Sequence, residues 1–285
     1  MSEQLAIAEG LLRVEELRAP LARRFEIPTL VGIWRRELLR YRRDRSQWFG
    51  GLSRTILWLV ILGYGIGASY TNIEGYDYTQ YILPGVITLN IIFASMQSAI
   101  ALVWDRQVGL MREVLVSPAP MLSVALGKIA GGATVATLQG TITLLFAPLA
   151  HVPLTVERVL LSWIVMFTMG VLLVSIGVII ACRMSTFEGF GSISNGVVLP
   201  MYFLSSAVFP IRGIVGLGGF LVELPVWLKV LMYVNPVTYQ VDQLRGVLLD
   251  FYQLPRTLDV ALVVGLPLCA LLGAVVSMVR LRTTR

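Results

Sequence analysis

The sequence predicts an all-α integral membrane protein with six transmembrane helices. Six stretches of at least 19 residues contain no Asp, Glu, Lys, Arg or His: 55–73, 78–104, 129–150, 159–182, 189–211 and 260–279. An α-helix rises about 1.5 Å per residue, so about 20 apolar residues cross the roughly 30 Å hydrocarbon core of a bilayer. Only 14% of the 285 residues are charged, well below the composition of soluble domains.

The distribution of charge between the predicted spans indicates their orientation. With the N-terminus inside, the inner segments 1–54, 105–128, 183–188 and 280–285 hold 18 basic and 10 acidic residues. The outer segments 74–77, 151–158 and 212–259 hold 5 basic and 7 acidic residues. An excess of Lys and Arg in the cytoplasmic loops is the positive-inside pattern. We therefore expect both termini to be cytoplasmic, and the net charge of +6 to reflect topology and not nucleic-acid binding.

An amphipathic helix is predicted ahead of the first span, after a cytoplasmic N-terminal lead at 1–28. Within 29–46, apolar side chains recur at helical spacing among many charged ones. The candidate interface residues are Trp34, Arg35, Arg36 and Glu37. A basic amphipathic helix with a Trp anchor is typical of a segment lying along the inner leaflet. The alternative is that these charges serve only as a topology signal for the first span.

The cytoplasmic segment 105–118 between the second and third spans combines charged and apolar residues. Its charges are Asp105, Arg106, Arg112 and Glu113, and Pro118 follows its apolar positions. The pattern predicts a brief amphipathic helix that ends at Pro118. Such a helix either docks a cytoplasmic partner or rests on the bilayer as a plain connection, and the residues alone leave both interpretations open.

The outer segment between the fifth and sixth spans is predicted to contain two short apolar helices. The apolar patches at 214–222 and 226–234 are too short to cross a bilayer. Apolar segments of this length between membrane helices are typical of re-entrant or interfacial helices. Pro225 and Pro236 are placed to start or break them.

Motifs for catalysis and nucleotide binding are missing from the sequence. The Gly127–Lys128 pair lacks the earlier glycine and the following hydroxyl residue of a phosphate-binding loop, since Leu122 and Ile129 stand there. His151 is the single histidine, and the predicted spans hold no Asp or Glu. We therefore expect no catalytic residue, no metal and no cofactor in this chain, and no ATP hydrolysis by it.

Three passages together resemble the membrane subunit of an ABC-2 type exporter. The first is Tyr81-Ile-Leu-Pro-Gly85, and the second is 105–118, which is similar to the family's Arg-x-x-Gly…Glu-x-Leu-x-Ser-Pro segment. The third contains Ser205-Ser206, Phe209-Pro210, Leu224-Pro225-x-Trp227, Asn235-Pro236-x-Thr238-Tyr239 and Asp242-x-Leu244-Arg245. The resemblance covers about residues 30–285, and it is closest to the daunorubicin/multidrug and nodulation-factor branch.

The resemblance implies a transport subunit that is driven by a separate ATPase. In such exporters two permeases, here expected as a homodimer in the bacterial inner membrane, sit on two ATP-binding cassette subunits that bind ATP and Mg²⁺. The substrate would be an amphipathic or lipid-linked molecule. The interface helix would be 29–46, and the coupling helix 105–118 would carry Arg106, Gly109, Arg112 and Glu113 against the ATPase. The outer re-entrant region at 210–250 would include Pro210, Trp227, Asn235, Pro236, Tyr239 and Arg245.

Three other functions remain open at this stage. A permease that exports polysaccharide or glycolipid has the same architecture. A membrane-embedded enzyme that modifies lipids would need a cluster of acids or nucleophiles near an interface, and the outer carboxylates Asp242, Asp250 and Asp259 are expected to be solvated loop charges instead. The third function is a scaffold for an ATP-driven complex that transports nothing.

Overall fold

The computed structural model describes residues 25–66, 75–109, 119–211, 214–215, 221–222 and 224–283. Within these ranges the helices are α1 Ile27–Arg43, α2 Arg45–Val60, α3 Tyr78–Gln107, α4 Met121–Leu144, α5 Val156–Arg183, α6 Phe187–Phe203, α7 Val226–Val234, α8 Pro236–Leu249 and α9 Arg256–Thr283. A π-helical turn at Ile61–Ile66 follows α2, and a 3₁₀ turn at Ala147–Ala150 follows α4. The strands β1 Ile214–Val215 and β2 Leu221–Val222 form one antiparallel pair.

Four of these helices are long and apolar enough to cross a membrane. They are α3, α4, α5 and the Arg256–Arg280 part of α9. The largely helical fold and these four helices confirm the predicted class of membrane protein. By contrast, α2 and α6 contain 16 and 17 residues, fewer than the roughly 20 that a perpendicular span requires.

A long apolar helix can extend past a charged residue when that charge is paired inside the protein. α4 begins at Met121, ahead of the charge-free stretch that starts at 129, because the charge of Lys128 is paired inside the protein. α3 includes Pro84 in its second turn and begins before it, at Tyr78. Its other end is followed by Gly109 at φ +82°, a left-handed conformation that stops a helix and suits glycine.

Small residues let the central helices α3, α4 and α5 approach one another closely. A Cβ added to Gly170 of α5 would lie 2.9 Å from the Cα of Ala133 in α4. A Cβ added to Gly132 would lie 2.4 Å from the hydroxyl oxygen of Ser98 in α3. In a bilayer the hydrophobic effect does not drive helices together. Their association relies on close packing of the backbones, which small residues allow.

The predicted interface helix is α1, and it packs in parallel along the first half of α4. The backbone N–H of Glu26 donates to Ser123 Oγ at 2.7 Å, and Trp34 Nε1 donates to Thr134 Oγ1 at 3.1 Å. Both helices advance in the same direction between these two contacts. A Cβ added to Gly127 would lie 2.6 Å from the carbonyl oxygen of Leu30, so glycine is what permits this packing.

The outer segment matches its prediction in one half and departs from it in the other. The 214–222 patch was expected to be a helix, and this was wrong, because its two ends pair as β1 and β2. Three glycines lie between these strands in the sequence, at 216, 218 and 219, and glycine strongly disfavours helix. The 226–234 patch does form a helix, α7, which begins directly after Pro225.

The contact between α1 and α4 predicts the effect of enlarging Gly127. We expect Gly127→Ala to lower the stability of the protein by about 1–3 kcal/mol, because the added methyl overlaps a backbone oxygen that cannot turn away. The matched control is Gly196→Ala in α6, where no atom lies within 4 Å of the added carbon. The measurement is the thermal unfolding midpoint of the purified full chain. Equal midpoints for the two variants would show that α1 does not pack on α4 this closely.

Candidate functional site

Four charged side chains from three helices meet where α3 ends and α4 begins, and we call them the inner charge cluster. They are Arg36 and Glu37 of α1, Asp105 of α3 and Lys128 of α4. Lys128 Nζ lies 3.1 Å from Glu37 Oε1 and 3.7 Å from Asp105 Oδ2. Arg36 Nη2 lies 2.7 Å from the same Asp105 oxygen. Two positive and two negative groups therefore join α1 to both α3 and α4.

The cluster contains a sealed ion pair and a more accessible one. The side chains of Glu37 and Lys128 are each 4% exposed, whereas that of Arg36 is 44% exposed. Removing two ions from water costs several kcal/mol each, and only their close mutual contact offsets this. Glu37 or Lys128 alone would be a buried, unpaired charge and would destabilise the protein. The pair therefore determines which face of α1 meets α4.

The remaining predicted interface residues have different surroundings. Trp34 is held to Thr134 of α4, and Arg35 is exposed. The next aromatic residue, Tyr41, stacks on Trp48 of α2 with ring centroids 4.9 Å apart. α1 is thus fixed to the helical core on one side and presents its arginines on the other. Sequence reasoning identified Arg36 and Glu37 but not their partners, although Lys128 and Asp105 were visible as charges flanking apolar stretches.

Arg106 of the predicted coupling segment binds the end of α5. Its Nη1 donates to the carbonyl oxygens of Ala181, Cys182 and Met184 at 3.1, 3.3 and 3.0 Å. The last carbonyls of a helix have no partner within it, and a basic side chain satisfies them. Arg106 therefore connects the end of α3 to the end of α5. Arg112 and Glu113 lie outside the described residues, and their contact with an ATPase stays a prediction.

A second cluster, the outer arginine cluster, surrounds Arg245 of α8. This arginine is fully buried, and its guanidinium carbon lies 4.0 Å from the ring centroid of Tyr81. It donates to the carbonyl oxygen of Ser206 and lies 3.5 Å from Asp242 Oδ1. Asp242 in turn accepts the backbone N–H groups of Gln253 and Leu254. The cluster thus holds α3, the turn after α6, α8 and the chain leading to α9.

The outer arginine cluster brings together residues from two of the three sequence passages. Tyr81 OH donates to the carbonyl oxygen of Ser206 at 2.9 Å, which joins the first passage to the third. A Cβ added to Gly85 would lie 2.5 Å from the carbonyl oxygen of Ala207. Both contacts fix the start of α3 against the turn after α6. The residue types in these passages therefore have a packing role that spacing along the chain did not show.

The expectation that the outer carboxylates are solvated was wrong for two of the three. Asp242 and Asp259 are fully buried. Asp242 is neutralised by Arg245, and Asp259 lies in the first turn of α9. Neither oxygen of Asp259 has a hydrogen-bond partner among the described residues. Asp250 alone fits the expectation, with a 76% exposed side chain that lies 2.6 Å from Arg158.

The other predicted outer residues shape the α7–α8 corner. Asn235 accepts the N–H of Val237 through Oδ1 at 3.0 Å, and Pro236 opens α8, so the Asn-Pro pair starts this helix. Tyr239 OH donates to the carbonyl oxygen of Tyr233 at 2.6 Å. Pro210 is buried, whereas Trp227 is 64% exposed on an apolar face of α7. In the described part of the chain, no group of three or more His, Cys, Asp or Glu side chains is placed to hold a metal ion.

The long apolar helices, joined by two buried charge clusters, define a multi-helix membrane protein. The sequence profile of the ABC-2 type transporter family matches residues 29–249. The chain belongs to this family.

Individual relatives cover most of this chain. Nodulation protein J of Rhizobium leguminosarum bv. viciae is 25% identical over 223 residues, which are 77% of this chain and 82% of the relative. The inner membrane transport permease YadH of Escherichia coli strain K12 is 25% identical over 236 residues, 79% of this chain and 85% of the relative. The range that the family profile matches includes the inner charge cluster and Arg245 of the outer arginine cluster.

The inner charge cluster predicts a non-additive pair of substitutions. We expect Lys128→Met to destabilise the protein by about 3–5 kcal/mol, because it leaves Glu37 charged and buried. Adding Glu37→Gln should restore at least half of the loss in the unfolding midpoint. Arg158→Met is the control, since its partner Asp250 is exposed and such pairs contribute about 1 kcal/mol or less. Additive losses in the double variant would contradict a paired role.

The two buried outer carboxylates predict opposite effects of the same substitution. We expect Asp242→Asn to lower stability by about 3 kcal/mol, because Arg245 is then buried without its counter-ion. Asp259→Asn should raise the unfolding midpoint, since it removes a buried charge that has no partner among the described residues. The measurement is thermal unfolding of the full chain. A comparable loss in both variants would show that Asp259 is paired.

Proposed function

We propose that this chain is the permease subunit of an ATP-binding cassette exporter. The observation that carries this proposal is the family match over residues 29–249. Subunits of this family work in general with an ATP-binding cassette partner, and the sequence offers no phosphate-binding loop of its own. Bacterial relatives such as the inner membrane permease YadH support a location in a bacterial inner membrane.

The proposed topology has six spans with both termini in the cytoplasm. α2 with the turn that follows it and α6 would join the four longer helices as the first and fifth spans. Charged residues at the ends of α3 and α5 support a common cytoplasmic boundary, since Asp105, Arg106, Lys128 and Arg183 all lie at one end of the helices. The outer arginine cluster would lie at the opposite side.

The proposed coupling begins at 105–118 and passes through contacts that the structure describes. Asp105 binds Arg36 and Lys128, and Arg106 binds the end of α5. A force on this segment would therefore reach α1, α4 and α5 together. Closure of two ATPase subunits drives transport only if their closed form binds the outward-open permease more tightly than the inward-open one. The coupling segment is where that difference in affinity would arise.

The proposed assembly contains two copies of this permease and two ATPase subunits. The exposed apolar face of α7, which includes Val226, Trp227 and Val230, supports contact with lipid or with the second copy. We propose a homodimer because the chain resembles nodulation-factor exporters.

The proposed substrate is an amphipathic or lipid-linked molecule that leaves the cytoplasm. Export of polysaccharide or glycolipid is the second candidate, since its permeases share this architecture. A lipid-modifying enzyme is less well supported, because Asp242 is engaged by Arg245 and by backbone N–H groups, and Asp259 is sealed from solvent. Neither carboxylate is placed to act on a substrate.

Reversing the charges of the coupling segment tests the proposed function. We expect the double variant Arg112→Glu, Glu113→Arg to insert normally and to lower transport-coupled ATP hydrolysis about ten-fold, because like charges would face each other at the docking surface. The measurement is ATPase activity of the complex isolated after co-expression with the ATP-binding cassette subunit proposed as its partner.

The control is Arg42→Glu, Glu26→Arg, which reverses charges on α1 and on the residue just before it and leaves 105–118 intact. Full ATPase activity in the coupling-segment variant would remove 105–118 as the coupling site. Failure of the unmodified chain to form any complex with the ATPase would overturn the permease proposal itself.

A further inference from the structure

Arg54 of α2 lies beside the middle of α3. Its Nη1 donates to Asn90 Oδ1 at 3.1 Å, and its guanidinium carbon lies 3.9 Å from the ring centroid of Phe93. Asn90 stands well inside α3, about 18 Å from Tyr78 at the usual helical rise. With α3 spanning the membrane, Arg54 is a cation within the hydrocarbon depth. Such residues are costly there and mark binding sites or pathways.

The positive charge of Arg54 is not neutralised by any carboxylate in the described part of the chain. Its contacts there are the neutral Asn90 and the face of Phe93. By contrast, the buried cations Lys128 and Arg245 each have an acidic partner. Arg54 is also only partly buried, and it lines an open space.

That space is a cavity of about 170 Å³ between α2, α3 and α4. It is lined by polar groups as well as by Phe93 and Ala94: Ser46, Gln47, Arg54, Gln97 and Gln139. Gln97 is exposed although it stands in the middle of a helix long and apolar enough to span. The volume exceeds that of several water molecules, whose share of liquid is about 30 Å³ each. It is sufficient for a phosphate or carboxylate head group.

Three buried polar atoms around this cavity have no hydrogen-bond partner among the described residues. They are Tyr41 OH, Ser98 Oγ and Gln139 Oε1, and all three residues are more than nine-tenths buried. Gln139 lines the cavity itself, and Tyr41 and Ser98 line a narrower space that shares Gln47, Ala94 and Gln97 with it. Burial raises the pKa of the Tyr41 hydroxyl to about 12, so it stays a neutral donor. Polar groups left unmet at a cleft are satisfied by water or by a polar ligand.

The approach to the cavity is basic. The narrower space reaches Glu37 and Arg40, and a neighbouring cleft is lined by Arg36, Leu39, Arg40, Arg43 and Asp44. Glu37 is already engaged by Lys128. Asp44 is an acidic group of this approach, and the hydrogen bond from Ser46 keeps its pKa below the usual value. Exposed arginines thus lead from the inner charge cluster towards Arg54, and such a field attracts anions.

We propose that the Arg54 cavity binds the anionic head group of the exported amphiphile, a phosphate or carboxylate, on its way from the inner leaflet. This inference rests on the proposed permease function and names the substrate class. Arg54 supplies the counter-charge and is oriented by the hydrogen bond that its Nη1 donates to Asn90 Oδ1, and Gln97, which also lines the cavity, donates to a further head-group oxygen. A cationic amphiphile would meet an uncompensated positive charge at the same point and be excluded.

The direct test is binding of three amphiphiles with the same chain: dodecyl phosphate, dodecyl maltoside and dodecyltrimethylammonium. The full-length permease alone is placed in phosphatidylcholine nanodiscs, and empty nanodiscs are subtracted. We expect dodecyl phosphate to bind at least about ten-fold more tightly than the other two, and Arg54→Gln to remove this preference. Arg54→Lys should keep the preference for the anion. The control Arg42→Gln removes an exposed charge that does not line the cavity.

Equal binding of the cationic and anionic amphiphiles to the unmodified chain would overturn the inference, whether or not any variant folds. Retention of the preference in Arg54→Gln would overturn it as well. Because these measurements use the permease alone, they are independent of whether a complex with an ATPase forms.

A second readout measures the field in the cavity. Gln97→Cys is prepared in a background with Cys182→Ala and Cys269→Ala, which removes both native cysteines. Reaction with a sulfonate-bearing methanethiosulfonate should be favoured over its trimethylammonium counterpart, and Arg54→Gln should lower that ratio by at least about five-fold, as expected when one nearby charge is lost in a wet cleft. An unchanged ratio would contradict the assigned charge.

The ATPase complex distinguishes an exported amphiphile from a resident lipid. Dodecyl phosphate should stimulate ATP hydrolysis by the complex in an Arg54-dependent manner. Arg54-dependent binding with no effect on hydrolysis would identify a structural lipid site and overturn the assignment to the transported molecule.

Discussion

The buried contact between Glu37 and Lys128 is the interaction on which the arrangement of the helices at the inner end depends. A charge buried in a low-dielectric interior is strongly destabilising unless it is paired, because its desolvation costs several kcal/mol. This pairing draws α1 onto α4, and Arg36 extends it to α3 through Asp105. Close packing at Gly127 then follows, since the two backbones approach where no side chain intervenes.

The same rule accounts for the outer end of the molecule. Arg245 is enclosed by Tyr81, Ser206 and Asp242, so a cation is buried without being left uncompensated. Asn235 and Pro236 start α8 at the position that delivers Arg245 to this site. The two clusters lie at opposite ends of α3 and fix both ends of the helix that would carry motion across the membrane.

Arg54 is an exception, because it has no carboxylate partner among the described residues. This exception is why we propose that it binds a ligand. Both clusters satisfy their cations with carboxylates of the same chain, whereas the described surroundings of Arg54 offer only neutral groups. The buried cations Lys128 and Arg245 are paired with carboxylates, whereas a charge reserved for a ligand has to remain available. A permease that carried its substrate through a purely apolar route would have no use for such a group, and one that exported anions would need it within the membrane depth.

The sequence by itself determined the class of protein, the principal helices and the starts of α7 and α8, because these follow from apolar length, charge and proline placement along the chain. It also indicated the family through three passages, and it singled out Arg36, Glu37 and Arg245. Only the tertiary structure decided the partners of these residues, the burial of Asp242 and Asp259, and the β-pair in place of the first outer helix. The physical reason is that ion pairing and burial depend on distances between residues far apart in sequence. Lys128 and Glu37, which are in contact, lie 91 residues apart in the chain. The pattern of residues along one helix does not show which charged residue of another helix will pair with it.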